Sequence, residues 1–148
     1  MSHYPIKKLE ASNFKVPYLL ARIKVNKKTV TIANTHLFTP TSSWRFQNRN
    51  SELHDLGTIV SSAKGFVIVG GDLNMSVWSP YYEQFKHETH LKDARSGFGL
   101  IPTWPTFVTP VMIPIDHFLV SSNVQVVNLQ TGPKIGSDHL PLVLDVVI

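Results

Sequence analysis

Cysteine is missing altogether from the 148 residues, which excludes disulfide staples, thiolate nucleophiles and cysteine–zinc sites. Absent too are an apolar run long enough to span a bilayer and a charged-then-apolar start of the secretory kind, so the chain as given reads as soluble, with its compartment open. Charge is sparse, at 16% of residues, and acidic groups are the minority: 10 Asp and Glu against 14 Lys and Arg, a formal charge of +4. That mild basicity favours an anionic partner such as phosphate, nucleic acid or a lipid headgroup, without choosing among them. There are no repeats and no low-complexity segment. With 43% apolar residues, the chain reads as one globular domain over residues 1–148 with no internal boundary.

What is present is a mixture of strand and helix patterns. Residues 1–16 are polar and unpatterned and read as a loose lead-in. "YLLARIKV" (18–25) and "TVTIANTHL" (29–37) read as strands joined by a turn at "NKK" (26–28). Thr41, Ser42 or Ser43 is placed to cap a helix beginning near Trp44. Phe46, Leu53, Leu56 and Val60 would share its buried face, while Arg45, Arg49 and Glu52 would point largely away. "FVIVGGD" (66–72) is uninterrupted apolar residue up to its glycines, the pattern of a strand covered on both faces. "SPYYEQFKHET" (79–89) reads as a short helix, residues 95–114 as an irregular loop, and 115–122, 124–130 and 140–148 as strands. Elements that mix without strict alternation predict an α/β (α+β) fold, a mixed β-sheet with helices packed on it.

Four strands begin or end in a polar cluster: "NTH" (34–36), "GDLN" (71–74), "ID" with His117 (115–117), and "GSDH" (136–139). A polar side chain at a strand tip is held by the strand and left open to a ligand by the loop. If the backbone stays extended, Asp72 and Asn74 share a side, and the paired glycines let backbone approach a ligand. A turn at Asp72 with Asn74 capping the next element explains the same residues. Asp138 and His139 are adjacent and diverge in extended chain, so His139 needs another acid, and Asp116 on a neighbouring strand is the candidate. A plain turn with a solvated Asp–His pair is the alternative. A serine triad is implausible, since no G-x-S-x-G elbow exists. Zinc held by His36, His117 and His139 is a poorer reading, because no compact ligand spacing is present. His87 and His90 read as surface residues.

Taken together, "NTHL", "GGDLN", "IDHFLVSS" and "GSDHLPLVLDV" resemble, in order and spacing, the endonuclease/exonuclease/phosphatase superfamily from about residue 18 to 148. The resemblance implies a divalent-metal-dependent phosphoesterase, using Mg2+ or Mn2+. His36 would contact the scissile phosphate, Asp72 would orient the attacking water and touch metal, and Asn74 would help hold the transition state. Asp116 would orient His139, and Asp138 would bind metal. Hard oxygen ligands suit those ions. "GLIPTWP" and "IPIDH" are similar to a bacterial subgroup carried behind membrane spans, which implies an extracytoplasmic location.

The resemblance also implies a sandwich of two sheets with helices outside, longer than this chain by about a hundred residues on the scale of ordinary domains. Its first half carries a metal-binding glutamate. Glu10 lacks the surroundings for that role, and Glu52, Glu83 and Glu88 sit on predicted helices. The chain is therefore expected to be the second half of such a domain, half of a four-layer sandwich with one mixed sheet and helices on one face. The bare face would be covered by a second copy, as a homodimer, or by a separate first half.

"GFGLIPTWPTFVTPVMIPI" (97–115) is unusually apolar for a loop. Trp104, Phe107, Val111, Met112 and Ile113 are expected to pack over the sheet edge or to form a lip that meets an acyl or prenyl chain or stacks a base. Arg45, Arg49 and Lys92 are candidates for phosphate contacts. Three functions follow in order: a phosphoesterase acting on nucleic acid, phospholipid or sugar phosphate; an inert half-domain that binds a partner or anion; and a nucleic-acid-binding module whose binding would survive chelator and fall steeply with salt.

Overall fold

A computed structural model describes residues 2–11 and 18–148. The chain orders itself as β1 (Ile6–Ala11), β2 (Tyr18–Val25), β3 (Lys28–His36), α1 (Ser43–Ser61), β4 (Phe66–Asp72), α2 (Pro80–Thr89), β5 (Lys92–Asp93), β6 (Asp116–Val120), β7 (Gln125–Thr131) and β8 (Leu142–Val147). The first six strands in space form one mixed sheet in the order β1-β2-β3-β4-β6-β5. Only β3 and β4 run parallel, and α1 is the crossover between them. Asn26 and Lys27, at φ 46° and 70°, make the two-residue turn from β2 to β3.

The helices cover one face of this sheet. Ser42 Oγ accepts from Arg45 N–H and starts α1, and Leu53, Leu56 and Val60 pack with Tyr82 and Phe85 of α2 onto Ala33, Val67, Val69 and Leu119. Each such side chain contributes about 1.5–3 kcal/mol by leaving water. His90, at φ 55°, ends α2 in the left-handed conformation. His87 and His90 are exposed, as the sequence suggests.

Four expectations change. The lead-in is in part a strand: β1 pairs antiparallel with β2 at the sheet edge, placing Glu10 opposite Leu20; residues 12–16 lie outside the described residues. The last two strands leave the main sheet and pair only with each other. Their inner side chains, Val126, Leu129, Leu142 and Leu144, pack with Val30, Ile68, Phe118 and Val120 on the face away from the helices. That face is therefore covered in part, while Ile6 and Leu19 on the outer strands stay exposed. On α1, Arg49 and Glu52 are buried, at 3% and 4% exposure, whereas Phe46 is 37% exposed. Lys92 lies at the far end of β6, opposite Val120, and its ammonium donates to Ser122 O.

Candidate active site

The sheet topology brings three chemistry-bearing residues to one edge. In register, His36 at the end of β3 lies beside Asp72 at the end of β4, and Asp72 lies beside Asp116 at the start of β6. Glycine makes this close ladder possible. A Cβ at Gly71, whose φ is 135°, would meet Thr35 O at 1.9 Å, and one at Gly70 would meet the Phe118 ring at 2.5 Å. The glycines admit neighbouring strand and ring, which is a different service from the ligand approach expected of them.

The fourth residue arrives from the β7–β8 connection. Thr106 N–H donates to Asp138 O, Leu140 N–H to Thr103 O, and Thr106 Oγ1 to Ser137 O, so this loop is tied to the segment before β6. The result is His139 Nδ1 at 2.8 Å from Asp116 Oδ2. A carboxylate there fixes the proton on Nδ1 and leaves Nε2 toward the cavity, 4.0 Å from Asp72 Oδ2. From the other side His36 Nε2 stands 3.5 Å from the same oxygen, on a side chain 72% exposed.

Asp72 is the centre of the group. Burial raises its pKa above the ordinary value, the Asn74 N–H works against that shift, and the Asp116 charge adds to it. Asn74 is not on an extended continuation of β4. Its φ of 49° makes a turn in which its N–H donates to Asp72 Oδ1 at 2.7 Å. Its amide nitrogen donates to Leu37 O at 2.8 Å and to Asp72 Oδ2 at 3.2 Å, so both amide hydrogens are directed into the protein.

Two buried charges on α1 hold these loops. Arg49 Nη1 donates to Asn74 O, and Glu52 Oε2 accepts from Phe38 N–H, two residues beyond His36. Burial lowers the Arg49 pKa and raises that of Glu52. Charged residues on a helix read as solvated, and only their three-residue spacing toward the apolar stripe hints otherwise. A second hidden network lies behind β6. Arg95, 5% exposed, donates to His117 Nδ1, to Leu100 O and to Asp116 O, and lies 3.6 Å from an Asp93 oxygen. His117 Nε2 donates to Met75 O at 2.7 Å, and burial, then the Arg95 charge, lowers its pKa to about 3. His117 is thus a neutral structural histidine turned away from His36 and His139.

His36, Asp72, Asn74, Asp138 and His139 border one cavity of about 650 Å³, with Trp104 in its wall. Asp138 stands apart from the Asp72 group: its Oδ2 accepts from Trp104 Nε1 at 3.1 Å. Asp72, Asp116 and His139 offer ligand atoms within 4.8 Å of one another. Burial makes the Asp72 charge costly, and a cation beside two carboxylates and an imidazole would offset that cost.

The profile of the endonuclease/exonuclease/phosphatase family matches residues 1–139. No curated protein matches the chain by sequence. Among solved structures, an endonuclease/exonuclease/phosphatase from Bacteroides vulgatus superposes with a TM-score of 0.80 at 19% identity, over 98% of this chain and 66% of the other. The mannosyl-6-phosphatase of Bacteroides thetaiotaomicron gives 0.68 at 16% identity, over 98% and 67%. A beta toxin variant from Staphylococcus aureus with bound magnesium ions gives 0.65 at 17%, over 95% and 64%. The chain thus spans about two thirds of the length of these proteins.

Proposed function

Since the chain belongs to the endonuclease/exonuclease/phosphatase family, we propose that it hydrolyses a phosphodiester or phosphomonoester at the strand-tip cavity. The observation that carries the proposal is the convergence on one oxygen: Asp72 Oδ2 faces both His36 Nε2 and His139 Nε2 within 4.0 Å, at the border of a cavity of about 650 Å³. Asp72 orients the attacking water and takes its proton, a task for which a raised carboxylate pKa is suited. The exposed His36 supplies a donor to the charge that develops on the phosphoryl oxygens, and His139, its tautomer set by Asp116, turns an accepting Nε2 toward the cavity to steady the water. Asn74 and Arg49 keep the Asp72 carboxylate aimed.

Asp72, with Asp116 and His139 beside it and Asp138 across the cavity, would hold magnesium or manganese, which supplies charge neutralisation and a more acidic water. The proposal extends to nucleic acid, phospholipid or sugar phosphate as the substrate class. It includes self-association through Ile6 and Leu19, the uncovered part of the face away from the helices. It also includes an extracytoplasmic, bacterial setting. Among the described residues no helix is long and apolar enough to cross a membrane.

The test is hydrolysis of bis-p-nitrophenyl phosphate and p-nitrophenyl phosphate with magnesium or manganese, then with chelator, beside Asp72→Ala. We expect metal-dependent turnover that falls by about a thousandfold in the variant, with its circular dichroism unchanged. Turnover retained by the variant would sink the assignment.

A further inference from the structure

The mouth of the cavity carries a second property that phosphoester chemistry does not require. From Ser96 to Ile115 there is no charged side chain. Within that stretch, Trp104 and Ile113 form a bridge that closes the segment between them into a projecting loop. The loop is built rather than loose: Trp104 N–H donates to Ile113 O, Val111 N–H to Val108 O, and Met112 N–H to Thr109 O. Its tip nevertheless turns Phe107, 73% exposed, and Val111, 58% exposed, to the solvent. Of the two expectations, packing over the sheet edge does not describe the exposed tip, while Trp104 and Ile113 line the cavity as a lip would.

A cation accompanies the exposed apolar groups of the tip. Lys134 donates its ammonium to Thr106 O, the residue before Phe107, and Ile135 beside it is 70% exposed. An apolar tip with a basic group at its base matches the layering of a bilayer surface. The apolar side chains enter the acyl boundary while the cation remains at the headgroup phosphates.

We propose that the loop tip formed by Phe107 and Val111, with Ile135 and Lys134 at its base, is a docking surface for an anionic lipid bilayer. This docking is a property of the folded chain and does not depend on turnover. The experiment is co-sedimentation of the full chain with vesicles of phosphatidylcholine alone and of phosphatidylcholine with phosphatidylglycerol in equal parts. The wild-type chain is expected to pellet with the mixed vesicles and more weakly with phosphatidylcholine. The double variant Phe107→Asp, Val111→Asp should lose about tenfold or more in partitioning. Lys134→Glu should lose the preference for the anionic mixture. Val127→Asp, at a valine 54% exposed on β7, should bind as wild type does. Unfolding temperatures that match wild type would show each variant folded. The proposal is overturned if the wild-type chain stays in the supernatant with both vesicles, if the tip variant binds unchanged, or if Phe107 and Val111 instead prove necessary for association between protein chains.

Discussion

Asp116 and His117 are neighbours on β6, yet they belong to opposite kinds of polar network. Asp116 joins His139 and Asp72 in a group that borders the cavity and keeps unspent capacity, with His139 Nε2 facing outward. His117 joins Arg95 in a group where each ring nitrogen is already partnered, its ring 4.5 Å from that of Tyr82 under the helices. The comparison shows that residue type does not separate a working histidine from a structural one. What separates them is whether a donor or acceptor is left over and which way the strand alternation turns it.

Removing the hub of the closed network should cost the most. Arg95→Met leaves His117 Nδ1, Asp93 and two carbonyls without their partner. We expect a loss on the order of 3–5 kcal/mol in urea unfolding, whereas a loss below about 1 kcal/mol would show that water replaces the guanidinium.

Next is acidity. The His117 pKa of about 3 lies below its ordinary 6.5. The stability it contributes is therefore complete above about pH 6.5 and drains away as pH falls toward 3. The unfolding free energy in chelator should drop by about 3 kcal/mol between neutral pH and about pH 4, and His117→Gln should flatten that slope.

The open network should respond in the other currency. Asp116→Asn releases the tautomer of His139 and is expected to lower turnover about a hundredfold with little change in unfolding temperature. A large thermal shift would instead make Asp116 a member of the closed group.

The smallest effect is a gain. Asp72 has a raised pKa in the fold, so the stability it contributes is present at low pH and is lost as pH rises through that value. Asp72→Asn, inactive, should melt slightly above wild type at neutral pH and show no such gain in acid; an unchanged melting temperature at neutral pH would mean that the Asn74 N–H offsets the burial in full.

The same contrast explains what was legible in the sequence. Strands β2, β3, β4 and both helices announce themselves through periodicity and caps, because those signals are local. The strand-tip residues are legible as polar breaks in apolar runs, and the rule that adjacent side chains diverge excludes Asp138 as the partner of His139 and leaves Asp116 as a candidate. Pairing partners are not local, so nothing in "VQVVNLQ" says that β7 abandons the main sheet for β8. Strand β1 is hidden because "IKKLEA" carries no alternating apolar pattern, and it pairs along one edge only. Arg49, Glu52 and Arg95 are hidden for a stronger reason. Their burial is tolerable only because carbonyls and amides of distant loops await them, and those loops are far away in the chain.

Gly71 has no room for a side chain. A methyl group there would stand 1.9 Å from the neighbouring carbonyl of Thr35, on a backbone turned to φ 135°. In a library randomised across residues 70–74 and selected for turnover, Asp72 would be retained by its chemistry. Gly71 would be retained by geometry alone, as a codon that cannot drift even in a lineage that has exchanged one substrate for another.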